Sequence, residues 1–117
     1  MNIILGDELS EGIGEKYIVL PLDRLRIKGA ADTVQSYCLV ENLPIDEIFH
    51  VEHYVEMHKT LMQNYERGNW LYCHQAMQNL KGKFNGELDS FYDHLQARIN
   101  QLEKSDPVEN WSPVIDV

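Results

Sequence analysis

Apolar and charged residues alternate along Leu22-Asp23-Arg24-Leu25-Arg26-Ile27-Lys28-Gly29, the period of a β-strand with one buried face. Leu25 and Ile27 take one side. Arg24, Arg26 and Lys28 take the other. Just before, Tyr17-Ile18-Val19-Leu20 is apolar and β-branched, which predicts strand. Pro21 lacks the amide a ladder needs, so it marks an edge, a bulge or a bend. Gly29-Ala30-Ala31-Asp32-Thr33 makes a turn, and residues 34–40 form the return strand. Residues 2–5 read as a further short, buried strand. Residues 6–14 mix acids with glycines, which allows a brief helical turn from Asp7, broken at Gly12 or Gly14.

Beyond residue 43 the apolar period changes from two to about 3.6. Pro44 keeps its predecessor out of helical conformation. Asp46 is placed to cap a helix over residues 46–67, with Ile48, Val51, Val55, Leu61, Met62 and Tyr65 near one face. Gly68 suits a left-handed stop, and Asn69 caps a second helix carrying Trp70, Cys73, Met77 and Leu80. Lys81-Gly82-Lys83-Phe84-Asn85-Gly86 is a breaker cluster. From Glu87 a third helix shows Leu88, Phe91, Leu95, Ile99 and Leu102, and ends before Pro107. Residues 108–117 read as irregular, with Trp111, Val114 and Ile115 packing back on the body. Strands first and helices second predict an α+β fold. A short N-terminal antiparallel β-hairpin or sheet occupies residues 1–43, and three helices with a packed tail occupy residues 44–117.

Net charge changes which partners are plausible. The 117 residues carry −9, with an acidic excess in both halves. A polyanion such as DNA or RNA would be repelled, so no nucleic-acid partner is expected. No apolar run approaches the ~20 residues that span a bilayer, and Met1-Asn2-Ile3-Ile4-Leu5 has no basic flank for export. A cytoplasmic protein without membrane contact is therefore expected, with Cys38 and Cys73 as free, buried thiols.

Candidate chemistry is sparse. His50, His53 and His58 lie near Glu47 and Glu56, but no His-Glu-x-x-His spacing exists, so surface histidines and no metal site are expected. Cys73 and His74 are adjacent on a helix and point about 100° apart, too far round to act as nucleophile and base. Arg24, Arg26 and Lys28 form either a phosphate-facing stripe or a solvated edge that discourages strand pairing. Tyr65, Trp70, Phe91 and Tyr92 line either a peptide groove or the core.

Tyr65-x-x-Gly68-Asn69-Trp70-x-x-Cys73-x-x-x-Met77-x-x-Leu80 resembles the centre of a tetratricopeptide repeat, with Cys73 where that family usually has Ala. Leu-Asp-x-Leu-x-Ile-Lys-Gly, a turn, then Val-x-x-Tyr resembles the last hairpin of the class III adenylate and guanylate cyclase catalytic domain. Several bacterial members follow that hairpin with Tyr-x-x-Gly-x-Trp helices and a tail like Asn110-Trp111-Ser112-Pro113-Val114. The resemblance implies a dimeric catalytic core using two metal ions, with metal-binding Asp residues and a transition-state Asn and Arg that all precede the hairpin. Upstream of Leu22 there is no Phe-x-Asp-Ile-x-Gly or Asn-x-x-x-Arg block. Lys28 alone carries over, as a triphosphate neighbour. The expectation is a regulatory or structural portion of a cyclase-like signalling protein, catalytically silent by itself. It needs no cofactor, since magnesium or manganese belongs only to a complete parent. Unpaired strand edges predict a homodimer, and the helices offer a surface to a protein partner. The alternative is a free-standing helical interaction module.

Overall fold

Nine residues of alternating character, Ile18–Arg26, form the longest strand of a four-stranded sheet. The computed structural model describes residues 2–7, 18–26, 31–41, 43, 48, 50–104 and 112–116. Lys28, Pro44, Asp46 and Trp111 lie outside the described residues. The chain divides into two units, Met1–Glu41 with Pro113–Val117, and Asn42–Ser112. The α+β class expected from the sequence is what the structure has.

In the first unit, β1 (Asn2–Leu5), β2 (Ile18–Arg26), β3 (Thr33–Val40) and β4 (Val114–Asp116) are ordered β1-β3-β2-β4. β3 is antiparallel to both β1 and β2, and β4 is parallel to β2. Leu20 opposes Cys38 and Pro21 opposes Tyr37, but the next pairs are Arg24 with Gln35 and Leu25 with Val34. Between Pro21 and Arg24 strand β2 advances three residues while β3 advances two. One extra residue therefore sits in β2, a β-bulge.

The bulge determines which side chains are buried. A strict period of two would put Arg24 on the face of Leu20, which is wholly buried opposite the wholly buried Cys38. The extra residue returns Leu25 to that face and turns Arg24 and Arg26 out, where both are exposed. Bulged carbonyls lose ladder partners, and side chains replace them. Gln35 Nε2 donates to the Leu22 carbonyl at 2.8 Å, and Ser36 Oγ donates to the Asp23 carbonyl at 2.7 Å. The tail differs from its irregular reading, because Val114, Ile115 and Asp116 pair with Arg24, Leu25 and Arg26. A three-residue strand carries too little pattern to be seen in the sequence. It exists because β2 offers it hydrogen-bonding groups.

The second unit contains α1 (Val51–Arg67), α2 (Trp70–Leu80), a 3₁₀ turn (Phe84–Gly86) and α3 (Asp89–Glu103). Its core is Leu61, Met62 and Tyr65 from α1, Cys73, Ala76, Met77 and Leu80 from α2, and Phe91, Tyr92, Leu95 and Ile99 from α3. No helix among the described residues is long and apolar enough to cross a membrane.

The α1–α2 turn follows from two residues. Gly68 adopts φ 76°, and its amide donates to the Tyr65 carbonyl while the Asn69 amide donates to that of Asn64. That pair of bonds is a Schellman motif and satisfies carbonyls that the helix end would leave bare. The Asn69 side chain then accepts from the Tyr72 amide to cap α2. Replacing Gly68 with Ala forces a Cβ into the left-handed region. We expect a loss of about 1 kcal/mol of stability in urea unfolding followed by far-UV circular dichroism. An unchanged midpoint would show that the turn tolerates a side chain.

Candidate functional site on the helical unit

The buried face of α1 repeats at positions 58, 61, 62 and 65, and one of its members is an imidazole. His58 is wholly buried. This corrects the surface reading made from its acidic neighbours. Its position, three residues before Leu61 and seven before Tyr65, is the signal that the local charge obscured. His58 Nδ1 lies 2.8 Å from the hydroxyl of buried Tyr92, so the imidazole has a polar partner inside the core. The ring centroids of Phe84, Phe91 and Tyr92 lie 6.4, 6.4 and 5.7 Å from that of His58.

Phe84 reaches this cluster at a backbone cost. Phe84, Asn85 and Gly86 take φ 53°, 58° and 72°, three left-handed residues in succession. A bulky residue there is strained by roughly 1–2 kcal/mol. The strain is offset by burial, since Phe84 is 1% exposed and meets both Tyr54 and His58 edge-on.

The residues singled out in the sequence fall into three places. Tyr65, Gly68 and Trp70 gather at the α1–α2 turn. The Tyr65 and half-buried Trp70 rings lie 6.1 Å apart, and the Tyr65 hydroxyl accepts from Arg98 Nη1 at 2.6 Å. Cys73 sits wholly buried against α1, its Sγ 3.9 Å from the Leu61 carbonyl. Phe91 is buried beside His58. Met77 is also buried and belongs to a groove between α2 and α3. Lys28 lies outside the described residues.

That groove is a small concavity between the two helices. Met77 and Tyr92 form its apolar floor, and Gln78, Gln96, Lys81 and Asp93 its walls. Lys81 Nζ and the Asp93 carboxylate pair at 2.7 Å at one end. The hydrogen bond that Lys81 donates to Asp93, with the charge of that carboxylate, raises the lysine's pKa. Gln96 extends toward His74, Asn100 and Glu103, a polar string that adjacent-residue reasoning about Cys73 and His74 did not reveal. At about 170 Å³ the groove falls below the ~300 Å³ at which small-molecule sites begin.

Burial pushes the Cys73 thiol up to about 11, so it holds its proton at neutral pH and is a poor nucleophile. His74 is hydrogen-bonded at both ring nitrogens, which leaves neither free to act as a base. Among the described residues no three His, Cys, Asp or Glu side chains gather where a metal ion would be held. His50 is exposed, His53 packs near Tyr54, and His58 faces inward. The apolar surface left outside includes Leu71, 69% exposed beside Trp70. Comparison with protein-family models, curated proteins and solved structures gives no match.

The thiol supplies a test. In the folded protein at about pH 8, iodoacetamide should modify Cys73 far more slowly than in urea, as read by mass spectrometry of the Cys73 peptide. Because the folded value lies above the unfolded one, the linked stability is complete below about 9 and is lost as pH rises toward about 11. Equal labelling rates with and without urea would show that the thiol is not protected.

Proposed function

We propose that this chain is the C-terminal regulatory or structural portion of a class III nucleotide cyclase-like signalling protein, silent by itself and serving as a protein contact. The observation that carries the reading is the β2–β3 hairpin. The Leu-Asp-x-Leu-x-Ile-Lys-Gly segment begins in β2 and Val34 to Tyr37 lies in β3, paired antiparallel in one register on each side of the bulge. The outward Arg24 and Arg26 agree with an anion-facing strand, and Lys28 is the proposed phosphate neighbour. Magnesium or manganese would be bound by the rest of such a parent. The likeness to a tetratricopeptide unit rests on the sequence pattern. A protonated thiol and a fully engaged imidazole support a binding role. The acidic charge argues against nucleic acid as partner, and a cytoplasmic location is part of the same proposal.

The test is complementation. A class III cyclase catalytic domain cut before its own last hairpin is mixed with this chain, nucleoside triphosphate and manganese. Binding and recovered cyclic nucleotide synthesis are expected, with none from the chain alone. Failure of the mixture to bind would overturn the cyclase reading, and synthesis by the chain alone would overturn its silence.

A homodimer is the second part of the proposal. Ile3 and Leu5 are 57% and 46% exposed although they oppose buried Cys38 and Ser36 across the β1–β3 pair. An outer strand with apolar, uncharged side chains favours pairing with another strand. Light scattering should give twice the 13.6 kDa chain mass. A single-chain mass at every concentration would exclude the dimer. The alternative, a free-standing interaction module, draws its support from exposed Leu71 beside Trp70. It gains if Leu71→Ser abolishes partner capture while the hairpin binds no cyclase.

A further inference from the structure

The eleven residues of α2 include no Asp, Glu, Lys or Arg, and His74 is its one side chain that changes charge near neutral pH. That ring meets α3 at two points. Nε2 faces a carboxylate oxygen of Glu103, the last residue of α3, and Nδ1 lies 2.7 Å from Gln96 Nε2. Gln96 Nε2 also lies 2.9 Å from Asn100 Oδ1. Among the described residues, Glu103 is the acidic side chain of α3 that meets the ring. Asp93, further along the same helix, is engaged by Lys81. Among the described residues no charged side chain of α1 bonds to His74.

We propose that His74 is a proton-operated latch that holds the last turn of α3 against α2 when its ring is charged and slackens that turn when the ring is neutral. The hydrogen-bond chemistry balances in both states. With the ring neutral, Nε2–H donates to Glu103 and Nδ1 accepts from the Gln96 amide, whose second N–H serves Asn100. With the ring charged, both nitrogens donate. The Gln96 amide must then turn over so that its oxygen accepts from Nδ1–H and from the Asn100 amide, which turns in step. One proton on the ring thus converts the contact with Glu103 from a neutral-donor bond to an ion pair and reverses two amides on α3.

The direction of the effect follows. Partial burial works against the charge, but the hydrogen bonds to Glu103 and Gln96 and the Glu103 charge outweigh it and raise the imidazole's pKa above the ordinary 6.5. A raised folded value means the latch is fully set below the ordinary value and lost as pH climbs through the raised one. Ile99, wholly buried, and Leu102, half-buried, lie on the turns that the latch secures. The inference concerns the helical unit alone and stands whether or not the cyclase reading does.

The experiment uses the full chain. The His74 ring proton is assigned by its loss in His74→Gln and followed by NMR from about pH 5 to 9. Hydrogen exchange of residues 99–104 is measured over the same range and corrected for the intrinsic rate. In the wild type the ring should titrate above the ordinary histidine value, and protection should fall about two- to fivefold as it deprotonates, the scale of a partly exposed pair. In Glu103→Gln the titration should move down to the ordinary value, and the protection step should vanish in both variants. Glu103→Gln lies on the surface and serves as the test if His74→Gln does not fold. Identical titration in wild type and Glu103→Gln, or a protection step that persists in either variant, would overturn the latch.

Discussion

The buried contact between His58 and Tyr92 is the constraint on which the helical unit depends. An imidazole without a polar partner in an apolar core costs several kcal/mol, so α3 must present Tyr92 at one height and one rotation relative to α1. Once that is satisfied, Phe91 and Leu95 fall into the same layer and Ile99 follows one turn on. Phe84 closes the cluster from the connection and accepts a left-handed backbone to do so. A nonspecific apolar core would tolerate α3 sliding by a turn. The polar pair does not, because a slide leaves two buried groups unmatched.

That fixed height places the polar string of the α2–α3 groove. Tyr92 contributes its hydroxyl to His58 and its ring to the groove floor, so the core and the groove share one residue. Along the same face of α3, Asp93, Gln96, Asn100 and Glu103 recur at helical spacing and find Lys81 and His74 on the other side. These pairs are partly exposed and individually weak, so they tune the helix ends and leave the bulk stability to the core. A single titrating ring can matter there because α2 has no other charged side chain.

In the sheet, the corresponding constraint is the extra residue of β2. It lets one strand bury Leu20 and Leu22 and still turn Arg24 and Arg26 outward. Gln35 and Ser36 supply the hydrogen bonds that the bulge withdraws from the ladder. The cyclase-like reading depends on this hairpin, whose basic outward residues owe their exposure to the bulge.

Much of this was legible in the chain itself. Period-two alternation and an apolar β-branched run located β2, the turn after it located β3, period-3.6 stripes located the three helices, and Pro21, Gly68 and Asn69 marked the bulge region, the helix stop and the cap. Those signals are local, because backbone geometry and propensity act within a few residues. Partner choice over long separations was not legible. Nothing near Val114 names Arg24 as its neighbour, and nothing near His74 points to Glu103, 29 residues away. The acidic surroundings of His58 masked its burial, and its depth was decided only when the rings of Tyr92, Phe84 and Phe91 closed on it. Which residues are strand or helix is settled by short-range sterics, whereas which polar groups meet is settled by the packing that brings distant segments together.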